Sequence, residues 1–101
     1  MMEKVERIQK MELRLDRASR VVMELSAALE KYNGVQDDIS QLTEYYSSDE
    51  WKQDFAADEA GELPPSLRRG VLSEDAVWNL LTDNKELTVR MLETVTAILK
   101  K

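Results

Sequence analysis

Residues 8–32 read IQKMELRLDRASRVVMELSAALEKY and place apolar side chains at alternating spacings of three and four. This heptad spacing predicts a long helix with one continuous apolar face. We predict that the helix covers residues 3–32 and ends at a left-handed glycine in Asn33-Gly34. We call its apolar face the heptad seam, which consists of Ile8, Met11, Leu15, Ala18, Val22, Leu25, Leu29 and Tyr32.

Three further helices are predicted in the rest of the chain. Ser48 and Ser73 are each followed by two acidic residues, a pattern that is typical of helix N-termini. Pro64-Pro65 excludes a helix and favours an extended path. We therefore predict a loop over residues 60–72 and helices over residues 35–46, 49–59 and 74–100.

These elements predict an all-α fold in a single domain, because 101 residues leave room for one core only. A long helix cannot bury its apolar stripe alone, and the two short helices together match its length. We expect an antiparallel helical bundle in the order long helix, two short helices, proline loop and long helix.

The composition excludes several kinds of site. The chain has no cysteine and no histidine, which removes disulfides, thiolate zinc sites and imidazole bases. The N-terminal residues lack the apolar run of a signal peptide, and no apolar stretch is long enough to span a membrane. We expect a cytoplasmic protein with no membrane partner.

The negative charge is concentrated in the middle of the chain. The net charge is −6, whereas residues 37–62 carry nine acidic side chains and one lysine, a local charge of −8. Such a surface repels the phosphates of a nucleic acid. We therefore expect an acidic protein that does not bind nucleic acid.

Two stretches of the sequence are familiar, DFAADEAGELP at residues 54–64 and LRRGVLSEDAVWNLL at residues 67–81. With the opening ERIQKMELRLD, they resemble the family called domain of unknown function 4298. The resemblance implies a small bacterial helical protein and brings no activity, cofactor or substrate with it. One difference is Asp49, where the family pattern leads us to expect proline; both residues suit the first turn of a helix.

The acidic segment is the most chemical-looking feature of the sequence. Asp54 and Asp58 lie four residues apart on one predicted helix face, and two such carboxylates could hold Mg²⁺ or Ca²⁺. A solvated acidic face is the more common reading of such a run. Helical pyrophosphohydrolases pair Glu-x-x-Glu with a downstream Glu-x-x-Asp, and the second half of that motif is missing here.

The loop and the two tryptophans suggest structural roles. We expect Arg68 or Arg69 to pair with an acid of the preceding helix, and we expect Leu67 to stabilise the loop more than Arg69 does. Trp51 and Trp78 are predicted to be core anchors, with Phe55 on the same face as Trp51. Asn84 lies on the apolar stripe of the last helix, where a polar group can fix helix register.

The function that these patterns favour is protein–protein interaction or scaffolding through helix faces, without catalysis and without a cofactor. We expect an unidentified protein partner and self-association into a homodimer through the first helix. The alternative is a metal-dependent enzyme or accessory factor that uses the acidic segment 49–62 and the loop 68–75. The candidate cluster for interaction or structure is Trp51, Asp54, Phe55, Asp58, Glu59, Arg68, Arg69, Trp78 and Asn84.

Overall fold

The computed structural model describes residues 1–101, and it contains four α-helices, one short 3-10 helix and no strand. The predicted all-α fold class is confirmed, whereas the antiparallel bundle layout and the single domain stay predictions. The chain falls into two compact units, Met1–Asp37 and Asp38–Lys101. The elements are α1 (Met2–Gly34), α2 (Gln36–Tyr46), α3 (Asp49–Glu59), η1 (Gly70–Leu72) and α4 (Ala76–Leu99).

The prediction that α1 ends at a left-handed glycine, Gly34, was wrong. Gly34 stays helical, and Val35 closes the helix with φ −100° and ψ 5°. The Val35 N–H donates to the carbonyl of Tyr32 over 3.3 Å, and the side-chain amide of Gln36 donates to the same carbonyl over 2.9 Å. These two donors satisfy the Tyr32 carbonyl, one of the carbonyls at the helix end that lack a partner within the helix. A left-handed glycine cap is therefore not needed there.

The start of α3 follows from Ser48. Its backbone is extended, with φ −91° and ψ 161°, and its hydroxyl accepts a hydrogen bond from the Trp51 N–H over 3.2 Å. Asp49 and Glu50 lie in the first turn, where acidic side chains are favoured by the helix dipole. The predicted and observed ranges of this helix are the same.

The end of α3 is a Schellman motif centred on Gly61. The Glu62 N–H donates to the carbonyl of Ala57 over 3.0 Å, and the Gly61 N–H donates to the carbonyl of Asp58 over 3.1 Å. Gly61 has a φ of 72°, which a residue with a side chain adopts only at a cost. The left-handed glycine of this chain is therefore Gly61.

The predicted loop 60–72 is partly helical, because η1 forms its last turn. The Ser73 hydroxyl then accepts a hydrogen bond from the Ala76 N–H over 3.1 Å, and this bond closes a turn over Glu74 and Asp75. The last helix therefore begins at Ala76 and not at residue 74, and its N-cap residue is Asp75, without a side-chain cap, where the sequence predicted Ser73.

The buried core lies in the second unit. Leu72 of η1 and Val77 of α4 are 6% and 3% exposed, and no other residue is buried. Both α3 and α4 contact η1, so this short helix joins the two around the core. None of the helices combines the length and the apolar character that crossing a membrane requires.

Candidate functional site

An aromatic cluster joins α2, α3 and η1. Trp51 stacks on Phe55 with ring centroids 5.1 Å apart and meets Tyr46 edge to face, also at 5.1 Å. Its indole N–H donates to the carbonyl of Val71 over 2.9 Å. The Tyr46 hydroxyl donates to the carbonyl of Glu74 over 3.2 Å, which ties the end of α2 to the segment just before α4. Trp51 and Phe55, which were predicted to share one face of α3, thus connect this helix to α2 and η1.

Arg69 holds the proline loop against the end of α3. Its guanidinium pairs with the Asp58 carboxylate at 2.5 Å and donates to the carbonyl of Pro64 over 2.6 Å. A third hydrogen bond runs from Nε to the carbonyl of Leu67 over 3.3 Å. Of the two arginines that the sequence offered for this role, the structure uses Arg69, because its fork reaches a carboxylate and two carbonyls at once.

Asp54 accepts a hydrogen bond of 2.6 Å from the hydroxyl of Tyr45. This bond raises the pKa of Tyr45 to about 12; loss of solvent at the hydroxyl and the negative charges of Asp54 and Glu50 act in the same direction. The neutral phenol is the donor, so the bond persists only while Tyr45 keeps its proton. Sequence patterns missed this contact, because Tyr45 and Asp54 lie on different helices, α2 and α3.

The Tyr45 bond predicts a distinct alkaline titration. Folded Tyr45 has its pKa raised from 10.0 to about 12, so its contribution to stability is complete below about pH 10 and is lost as the pH rises through 12. In a titration of tyrosinate absorbance at 295 nm, one tyrosine, Tyr45, should ionise with a pKa of about 12. Asp54→Asn should return that tyrosine toward pH 10; an unchanged late titration would contradict the assignment.

The acidic segment does not assemble a metal-type cluster. Asp54 is engaged by Tyr45 and Asp58 by Arg69, so each carboxylate of the i, i+4 pair already has a partner. No group of three acidic side chains lies close enough together to hold a metal ion. Glu59 ends α3 in an exposed position.

Two other candidate residues, Trp78 and Asn84, lie on α4. Trp78 is 60% exposed, so its predicted role as a core anchor is wrong. The reason is its position: Val77 takes the buried place in the first turn of α4, and the next side chain points elsewhere. Trp78 lines an open groove of about 390 Å³ with Tyr46, Leu81 and Lys85. Asn84 is half-buried, and its backbone carbonyl accepts from the Thr88 hydroxyl over 2.7 Å.

A second groove lies on the other side of the same turn of α4. Its volume is about 380 Å³, and apolar side chains from α2, η1 and α4 form most of its lining. Arg68 is the charged residue at this groove, whereas Arg69 is turned toward Asp58. The lining consists of Leu42, Arg68, Gly70, Val71, Ala76, Val77 and Leu80.

The largest apolar surface of the first unit is the heptad seam. No residue of α1 is buried. The six large aliphatic side chains of the seam are between 46% and 67% exposed, Ala18 is also exposed, and Tyr32 is half-buried. A large exposed apolar surface of this kind is characteristic of an interface.

The family model for a domain of unknown function, DUF4298, matches residues 8–94. The chain belongs to this family. The match takes in most of α1 and all of the candidate cluster of this DUF4298 chain, and the resemblance seen in the sequence is confirmed. No curated protein and no solved structure matches the chain.

Proposed function

We propose that this DUF4298 chain is a non-catalytic interaction module that binds another polypeptide through the heptad seam of α1. The observation that carries the proposal is the exposure of the seam from Ile8 to Leu29, with no buried residue in α1. Isolated helices draw little stability from propensity alone, and most helices in proteins are stabilised by packing of their apolar face. A partner helix would supply that packing.

The seam has the dimensions of a helix-binding surface. From residue 8 to residue 32 it extends for about 36 Å at 1.5 Å per residue. Burying apolar surface contributes roughly 25 cal/mol for each Å². A continuous stripe lets one partner bury many apolar side chains at once, whereas scattered side chains do not. Basic residues beside the seam, among them Arg7 and Arg14, are typical of the charges that flank a coiled coil.

The metal-dependent alternative has less support. Tyr45 and Arg69 already bind one oxygen of each carboxylate, Asp54 and Asp58, and would compete with a cation there. Titration with Mg²⁺ or Ca²⁺, followed by the fluorescence of Trp51, should therefore cause no saturable change. A saturable response that Asp58→Asn abolishes would favour the alternative. The bacterial origin and the cytoplasmic location stay predictions.

Photo-crosslinking in the native cell tests the proposed function. A photoreactive phenylalanine analogue at Leu25, on the seam, should give adducts heavier than the chain. The same analogue at Ala27, on the opposite face of α1, should give few or none, and it is the matched control. Adducts within one chain only, or equal yields at the two positions, would contradict binding through the seam.

A further inference from the structure

We infer that the polypeptide bound at the seam is a second copy of this chain, with the two α1 helices parallel and in register. The inference rests on the proposed function and adds the identity and direction of the partner. The apolar layers of the seam and the charges beside it both suit self-pairing, and each is visible in named positions of α1.

The first argument is the composition of the heptad layers. Two of the four first-position residues, Ile8 and Val22, are β-branched, and Leu25 occupies a fourth position; within a parallel coiled coil, such residues favour two strands. In a parallel pair in register, each layer packs against its own copy. The first positions of the heptad (a) are Ile8, Leu15, Val22 and Leu29, and the fourth positions (d) are Met11, Ala18, Leu25 and Tyr32.

The second argument is the charge beside the seam. Arg7 precedes the first heptad position and Glu12 follows a fourth position, so they occupy the two flanks, five residues apart. In a parallel pair, a residue on the first flank faces the residue five positions later on the partner's other flank. Arg7 of each copy therefore faces Glu12 of the other, which gives two ion pairs. Both side chains are exposed, and neither belongs to an ion pair of the single chain.

The antiparallel arrangement loses these pairs. In an antiparallel pair, where Ile8 packs against Tyr32, each flank meets the same flank of the other copy. The flank that holds Arg7 contains no acidic residue, and the flank that holds Glu12 contains no basic residue. Neither charged group then meets an opposite charge. The charge pattern therefore selects the parallel direction, which the apolar seam alone would not select.

The remaining flanking positions place no like charges opposite each other in a parallel pair. Arg14 faces Ser19, Val21 faces Ser26, and Ala28 faces Asn33 of the other copy. Small or uncharged side chains at these positions permit close approach of the two helices. Charge repulsion thus does not oppose self-pairing at any flanking position of the seam.

Single cysteines test the partner and its direction, because the natural chain has none. In the parallel pair, Met11→Cys lies opposite its own copy and should form a disulfide-linked dimer under mild oxidation. In the antiparallel pair, the two thiols would be about 27 Å apart, at 1.5 Å per residue. Leu13→Cys, on the outer face of α1, is the control and should remain largely unlinked.

Two outcomes would overturn the inference. Linkage of Met11→Cys to Leu29→Cys in a mixture of the two variants, without linkage of Met11→Cys to itself, would show the antiparallel pair. A species of 11.7 kDa in sedimentation equilibrium at micromolar concentration would exclude self-pairing. In that case, seam adducts to a different protein in the photo-crosslinking experiment would leave the proposed function standing.

Charge reversal tests the Arg7–Glu12 pairs separately from folding. Glu12→Arg should weaken the dimer roughly tenfold, since two attractions become repulsions between exposed side chains. The double variant Arg7→Glu with Glu12→Arg exchanges the charges and should restore the affinity. Equal weakening in the single and double variants would contradict the parallel register.

Discussion

Replacement of Trp51 by alanine is expected to lower the free energy of unfolding by about 3 kcal/mol, the low end of the range for a large aromatic removed from a packed cluster. The change removes the stacking on Phe55, the edge contact with Tyr46 and the hydrogen bond to the Val71 carbonyl. These contacts join α2, α3 and η1, so their loss should loosen three elements together. Urea unfolding followed by circular dichroism at 222 nm measures the effect.

Trp78→Ala is the matched control, because it removes the same side chain from an exposed position of α4. Its expected cost is below about 1 kcal/mol, the ordinary range for surface substitutions that break no specific contact. If the two tryptophan variants were equally destabilised, the aromatic cluster would not be the anchor of the second unit.

Replacement of Arg69 by alanine is the second change with a large expected effect, about 2 kcal/mol of unfolding free energy, since hydrogen bonds to charged groups contribute more than neutral ones. The variant loses the pair with Asp58 and the hydrogen bonds to the carbonyls of Pro64 and Leu67. It also leaves the carboxylate of Asp58, only 24% exposed, without its cation. Thermal unfolding would show a lower Tm.

Arg68→Ala is the control for Arg69→Ala, because it removes the same charge one residue away and leaves the Asp58 pair intact. Arg69→Lys should recover only part of the loss, since an ammonium lacks the planar fork that reaches three acceptors. A larger loss in Arg68→Ala than in Arg69→Ala would contradict the assigned role.

This prediction reverses the order expected from sequence. Leu67 was expected to stabilise the loop more than Arg69, on the ground that apolar anchors outweigh surface ion pairs. The structure leaves Leu67 49% exposed, whereas Arg69 is drawn into a set of backbone and carboxylate acceptors. The sequence shows that Arg68 and Arg69 lie near acidic residues of opposite charge. It does not show which side chain of the loop faces inward, because a proline loop has no periodic pattern of buried residues.

Helix positions were predictable because they rest on local chemistry. The Ser48 hydroxyl and the acids after it define the start of α3, and Pro64-Pro65 excludes a helix in the loop. The prediction of a left-handed glycine at Gly34 was wrong, and the left-handed residue is Gly61. Asn33-Gly34 and Ala60-Gly61 both resemble helix stops in the sequence, but the Gln36 side chain satisfies the Tyr32 carbonyl at the end of α1. The local sequence does not show which of the two glycines is left-handed.

The candidate site was predictable where its members share one helix and where opposite charges lie close in sequence, as for Asp58 and Arg69. Trp51 and Phe55 were paired from their spacing, but the Tyr45–Asp54 bond joins two helices and left no pattern to read. The prediction for Trp78 was wrong because its neighbour Val77 takes the buried position. Which of two adjacent apolar residues is buried depends on the exact helix phase at its cap.

The hydrogen bonds that join the elements of residues 38–101 close short lengths of chain. Tyr45 and Asp54 are 9 residues apart, Trp51 and Val71 are 20 apart, and Tyr46 and Glu74 are 28 apart. Proteins rich in such local contacts fold in microseconds to milliseconds, whereas a ribosome adds only about 5–20 residues each second. Once this segment is free of the ribosome, its aromatic cluster should therefore form in less time than a ribosome takes to add one residue.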